Sequence, residues 1–155
     1  MDDVRPRSGA ETPPVALWLI ALTALAPFPA SALMYCYGPQ IHQVGSLTML
    51  MTWSAIILAF IGGVRWGLET REPRPRRDRM GFAALCAAAA WGLLLWRGQA
   101  PDALILGLFI AMFMIQWLFD HPNPEAPSRY PMLSTVLAGS ACVSLALALE
   151  KAISG

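Results

Sequence analysis

The chain has 155 residues, a mean hydropathy of +0.50, 56% hydrophobic and 14% charged residues, and a formal net charge of +1. Soluble domains carry about 25% charged residues, so the composition excludes an ordinary soluble domain. The apolar excess is gathered in five blocks separated by proline, glycine and charge, which predicts an all-α, polytopic transmembrane bundle of five spans.

Residues 1–14 are polar, with Asp2, Asp3 and Glu11, and read as a disordered cytoplasmic tail. The acidic residues argue against a mitochondrial transit peptide, and the weakly basic start does not make a signal peptide. The membrane domain is expected over 15–150. Span one is placed at 15–36, with a kink or break at Pro27-Phe28-Pro29, because proline removes a backbone donor and clashes with the preceding turn. Such a break is tolerated in a membrane where a neighbouring helix satisfies the released carbonyls. Tyr35 and Tyr37 fit an interfacial belt, and Gly38-Pro39 marks a turn.

Span two is placed at 44–68 and carries Thr48, Thr52 and Ser54, hydroxyls suited to bonding within or between helices. A short loop follows with Arg71, Arg74, Arg76, Arg77 and Arg79, a basic segment that attracts anionic lipid and sets topology. Span three is placed at 80–96 and span four at 103–119, ended by Asp120-His121-Pro122. Span five is placed at 132–149, and 151–155 is read as a short tail. Eight Arg residues then fall on the side of the N-terminus and its loops, against Arg97 and Lys151 on the other. The positive-inside rule places the N-terminus in the cytoplasm and the C-terminus in the periplasm of a bacterial inner membrane. The near-exclusive use of Arg over Lys and the abundance of alanine point to a bacterial source.

The polar residues within the spans are few. Arg65 lies near the cytoplasmic end of span two, at the depth of Asp120 at the end of span four. An arginine fork suits a carboxylate, so an Arg65–Asp120 pair is one reading. Glu69, one turn after Arg65, is the competing partner, and snorkelling of Arg65 to the headgroups is the third. Gln116 lies one turn before Asp120 and is expected on the same stripe. Gly63 and Gly67 form a G-x-x-x-G, with Gly62 beside them, and suit a close helix–helix approach. Trp66 is expected at the interface. His121 and His42 fall on opposite sides of the membrane and do not share a metal. Cys36, Cys86 and Cys142 are far apart and make neither a disulfide framework nor a metal cluster. The sequence holds no catalytic motif, no cofactor-binding motif and no nucleic-acid-reading surface.

The run Phe60-Ile61-Gly62-Gly63-Val64-Arg65-Trp66-Gly67 resembles the FLGGIRWG signature of the transmembrane protein 69 family (domain of unknown function 3429). Pro27-Phe28, the Gln116 and Asp120 pair, and Tyr130-Pro131-Met132-Leu133 resemble further pieces of the family in the same order. Arg129 and Ser134 depart from the family's Trp and Arg, and Trp53 stands where a Tyr is expected. The resemblance implies a small polytopic membrane protein of a kind found in bacteria and mitochondria, and supplies no reaction.

Three functions are open at this point. The leading one is a non-enzymatic accessory or assembly factor acting with a membrane-protein partner. A small transporter or channel subunit would use Arg65, Gln116 and Asp120 as a polar path reaching both faces. An intramembrane lipid-acting enzyme would need a lateral groove ending at Asp120 and His121.

Overall fold

The computed structural model describes Leu19 and residues 23–71, 76–120 and 130–154, excepting the side chains of Asp120 and of residues 130–133. Among the described residues the chain is helical and forms no strand. Five helices follow in order: α1, Pro27–Tyr37; α2, Gln40–Glu69; α3, Arg77–Trp96; α4, Asp102–Asp120; and α5, Tyr130–Ser154. Four helical segments are long and apolar enough to cross a membrane: Gln40–Glu69, Arg77–Trp96, Asp102–Phe119 and Ser134–Ser154. The tail 1–14 and the first part of the segment expected as span one lie outside the described residues.

Helix α1 starts where the prolines demand. Residues 23–25 are helical, Ala26 is a turn, and Pro27 occupies the first position of α1, where a missing N–H costs nothing. The Trp53 indole of α2 donates to the Ala24 carbonyl at 2.9 Å. A neighbouring helix therefore supplies a donor to the backbone beside the break, as a low-dielectric setting requires. The Gly38 N–H closes α1 by donating to the Met34 carbonyl at 2.9 Å. Pro39 then precedes α2, which starts at Gln40, four residues before the apolar block, because Gln40, His42 and Gln43 are compatible with helix although they are polar. Ser54 and Thr48 donate back to the carbonyls of Leu50 and Val44, at 2.8 Å and 2.6 Å. Helices α3 and α4 are joined by a tight turn in which Gly98 adopts φ +88°, a left-handed conformation suited to glycine. Helix α5 continues to Ser154, through most of the segment read as a tail.

Packing follows antiparallel neighbours. Helix α2 lies against α1 and α3, α4 lies against α5, and α1 also lies against α5. The core is apolar, with Phe28, Leu50, Met51, Leu58, Ile105, Leu106, Phe109 and Leu145 fully buried. The Phe28 ring meets Phe113 edge-on, centroids 6.2 Å apart. The α2 and α3 backbones approach closely at Gly62: a Cβ there would stand 2.9 Å from the Ala83 carbonyl oxygen. A Cβ on Gly63 or Gly67 would meet nothing within 4 Å among the described residues. The close approach is therefore made by Gly62, and both glycines of the G-x-x-x-G are exposed.

Candidate polar site at one end of the bundle

The last turn of α2, the start of α3 and the C-terminal turn of α4 meet at one end of the bundle. Arg65 is four residues before the end of α2, Phe82 is in the second turn of α3, and Gln116 is four residues before the end of α4. The Arg65 side chain is pinned by these three helices. It is only 6% exposed. Its Nη2 donates to the Gln116 carbonyl at 3.3 Å, and its guanidinium carbon lies 5.2 Å from the Phe82 ring centroid. A cation over an aromatic face is attracted by the ring quadrupole, more so when desolvated. The other face of this aromatic cluster is Phe119, whose ring stacks on Phe82 with centroids 4.3 Å apart and planes 26° apart.

Glu69 has partners at the start of α3. It is buried, and its carboxylate accepts from the Arg76 backbone N–H at 2.8 Å and faces the Arg79 guanidinium at 3.7 Å. It thereby ties the end of α2 to the start of α3. Arg76 also pairs with Asp78 at 3.1 Å, an exposed contact of little energetic weight. Arg65, Asp78, Arg79, Phe82 and Phe119 together line a cavity of about 250 Å³.

Gln116 is 2% exposed, and neither its amide nitrogen nor its amide oxygen has a hydrogen-bond partner among the described residues. Leaving such a group unsatisfied costs about 1–3 kcal/mol. Trp66 is 44% exposed, in keeping with a place on the outer surface of the bundle. The side chains of Asp120 and Tyr130 and the whole of His121 lie outside the described residues. Sequence reasoning named Arg79 only as one of the basic-loop arginines and did not single out Phe82 or Phe119. Phe82 and Phe119 are apolar residues in apolar blocks, and only the helix register brings them together. Among the described residues no three His, Cys, Asp or Glu side chains come together as metal ligands would.

At the opposite end, His42 and Ser46 line a second cavity of about 470 Å³ between α1 and α2, with Ser31, Met34 and Met49. It shares no lining residue with the cavity at Arg65.

Four apolar spanning helices around an apolar core, with one arginine held at the end of the bundle, define a polytopic helical membrane protein. The chain belongs to a family of such proteins: residues 13–150 match the family described as "Protein of unknown function (DUF3429)". It is 32% identical over 145 residues to Transmembrane protein 69 of Xenopus tropicalis, covering 87% of this chain and 53% of that protein. It is also 32% identical over 120 residues to Transmembrane protein 69 of Mus musculus, covering 73% of this chain and 48% of that protein. The chain thus spans about half the length of these relatives. No solved structure matches it.

Proposed function

We propose that this chain is a non-enzymatic accessory or assembly component of a membrane complex. It crosses the membrane five times, with residues 15–36 contributing the first span, the Arg65 end cytoplasmic, and the inner membrane of a bacterium as its location. The observation that carries this reading is the closed middle of the bundle. The cavities at Arg65 and at His42 are separated by Leu50, Met51, Leu58, Phe109 and Phe113, each at most 1% exposed. A polar path from face to face would need several polar groups at that level, and these five side chains are hydrocarbon or thioether, while the buried Ser54 hydroxyl between them is taken up by the Leu50 carbonyl of its own helix. The Gly63–Gly67 face, which nothing covers among the described residues, and exposed Phe60 and Trp66 leave an outer surface of α2 suited to lipid or to another membrane helix.

Photo-crosslinking in native membranes from residues 60, 63 and 67, followed by affinity purification, tests the accessory role. The expected result is one membrane-protein partner captured in near-stoichiometric amount. Recovery of this chain alone overturns the reading. The orientation is tested separately with phosphatase fusions: activity is expected from a C-terminal fusion and silence from an N-terminal one, and the reverse pattern rejects the topology.

A further inference from the structure

We propose that the cavity between α1 and α2 at the His42 end is a binding site for a soft monovalent metal ion, copper(I), held by the thioethers of Met34 and Met49 and the imidazole of His42. Binding there requires neither the accessory role nor a particular orientation in the membrane.

The turn between the two helices brings the donors together. Gly38 ends α1 and Pro39 precedes α2, so the last turn of α1 lies beside the first turns of α2. The Met34 sulfur stands at that turn: a Cβ on Gly38 would come within 2.7 Å of it. His42 is in the first turn of α2, where its backbone N–H donates to the Pro39 carbonyl at 2.9 Å. Met49 lies about two turns further along α2, on the same face as His42. Long helical side chains lean back over the preceding turn, and Met49 lines the cavity together with Gly45 and Ser46, the residues of that turn. Gly45 puts no side chain between Met49 and His42. Met34 and Met49 are 42% and 53% exposed. Three rotatable bonds let each thioether close on a small ion within the cavity of about 470 Å³.

The chemistry of the lining selects the ion. The two hydroxyls of the cavity already donate to backbone carbonyls, Ser31 to those of Pro27 and Phe28, and Ser46 to that of His42 at 2.8 Å. Among the described residues no carboxylate lines the cavity, so a hard divalent cation finds no anionic oxygen there. Two thioethers and an imidazole are neutral donors, and soft sulfur ligands select copper(I) over zinc, magnesium or calcium. Neutral ligands leave the charge of the ion uncompensated, and in apolar surroundings one charge costs less to bury than two. Cys36, two residues beyond Met34, stands outside the set, because its thiol donates to the Leu147 carbonyl of α5 at 3.5 Å.

Anaerobic titration of the purified full chain with copper(I) in a non-ionic detergent, against a chromogenic copper(I) chelator, tests this. Binding of copper(I) is expected under conditions where zinc(II) is not retained. Met34→Leu, Met49→Leu and His42→Gln are changes at exposed positions. Each should weaken binding at least about tenfold, since partners merely outside a ligand set already cost about 10–100-fold. Met114→Leu, exposed on α4, and Cys36→Ser should leave it unchanged. X-ray absorption at the copper edge of the unaltered chain is expected to show two sulfur neighbours and one nitrogen neighbour, a readout that needs no variant to fold. Loss of copper with Cys36→Ser assigns the ion to the thiol and overturns the site. A loss with Met114→Leu equal to that with Met34→Leu overturns the cavity in favour of scattered methionines. Zinc(II) held as tightly as copper(I) overturns selection by the thioethers, and a shell of nitrogen and oxygen alone overturns them as ligands.

Discussion

The Arg65 guanidinium of α2 donates to the main-chain carbonyl of Gln116 on α4, while the Gln116 side-chain amide, 2% exposed, has no partner among the described residues. The backbone of this turn is thus used and its side chain is not. A buried amide in this condition is a cost, and an apolar side chain of similar shape removes the cost without losing packing. Gln116→Leu should therefore raise the thermal midpoint of the detergent-solubilised protein or leave it unchanged. Gln116→Ala should lower it by leaving a cavity. A loss of stability with Gln116→Leu comparable to that with Gln116→Ala would mean that the amide is satisfied in the folded protein.

Gly62 and Ala83 mark a close approach of α2 and α3, and the contacting atom is a backbone carbonyl oxygen, which cannot swing aside as the end of a flexible side chain could. Gly62→Ala should destabilise the bundle by about 1–3 kcal/mol, the usual cost of overpacking. Gly63→Ala and Gly67→Ala should be neutral or slightly stabilising in detergent, because alanine is the better helix former by about 1 kcal/mol. Midpoints for the three variants, measured by fluorescence-detected size-exclusion after heating, separate the positions. Impaired function with unchanged stability at Gly63 or Gly67 would mark that open face as a contact for another molecule.

This glycine triplet shows where legibility ends. Helices separated by Gly38-Pro39, by the basic loop and by the Arg97–Asp102 turn were readable because proline, glycine and charge interrupt apolar runs for backbone reasons that hold in any environment. The face of a helix was not. In a membrane both lipid and core accept apolar side chains, so hydropathy has no periodicity to reveal which side of α2 meets α3. Gly62 and Gly63 differ by one residue, about 100° around the helix, and only one touches Ala83. The same loss of contrast hid Phe82 and Phe119, whose stacking depends on the relative register of α3 and α4. Arg65 and Gln116 were legible because a polar group within an apolar block is conspicuous without any periodicity.

Trp53 joins α2 to the Ala24 carbonyl next to the proline break. Trp53→Phe keeps the aromatic bulk and deletes the donor. The expected loss is about 0.5–1.5 kcal/mol. It should be accompanied by faster hydrogen exchange at the Phe28 and Ala30 amides, where α1 begins. Unchanged exchange at those amides, with an equal drop in midpoint, would assign the tryptophan to packing alone.

The pairing of Arg65 with Asp120 is open to a thermodynamic measurement. Asp120 ends α4 one turn beyond Gln116, and in a regular helix its N–H addresses the same Gln116 carbonyl to which Arg65 donates. The backbone therefore brings the guanidinium to the turn that carries the carboxylate. If the two charges are partners, removing either one alone leaves the other poorly compensated at low dielectric, and each single variant is costly. Asp120→Asn and Arg65→Gln should each lower the detergent midpoint, and the double variant should be less destabilised than the sum of the two. Coupling of about 1–3 kcal/mol in such a cycle is the expected outcome for contacting charges. Additivity within about 0.5 kcal/mol would separate the two residues energetically. Arg65 would then depend on Phe82, on the Gln116 carbonyl and on the reach of its own stem towards the headgroups.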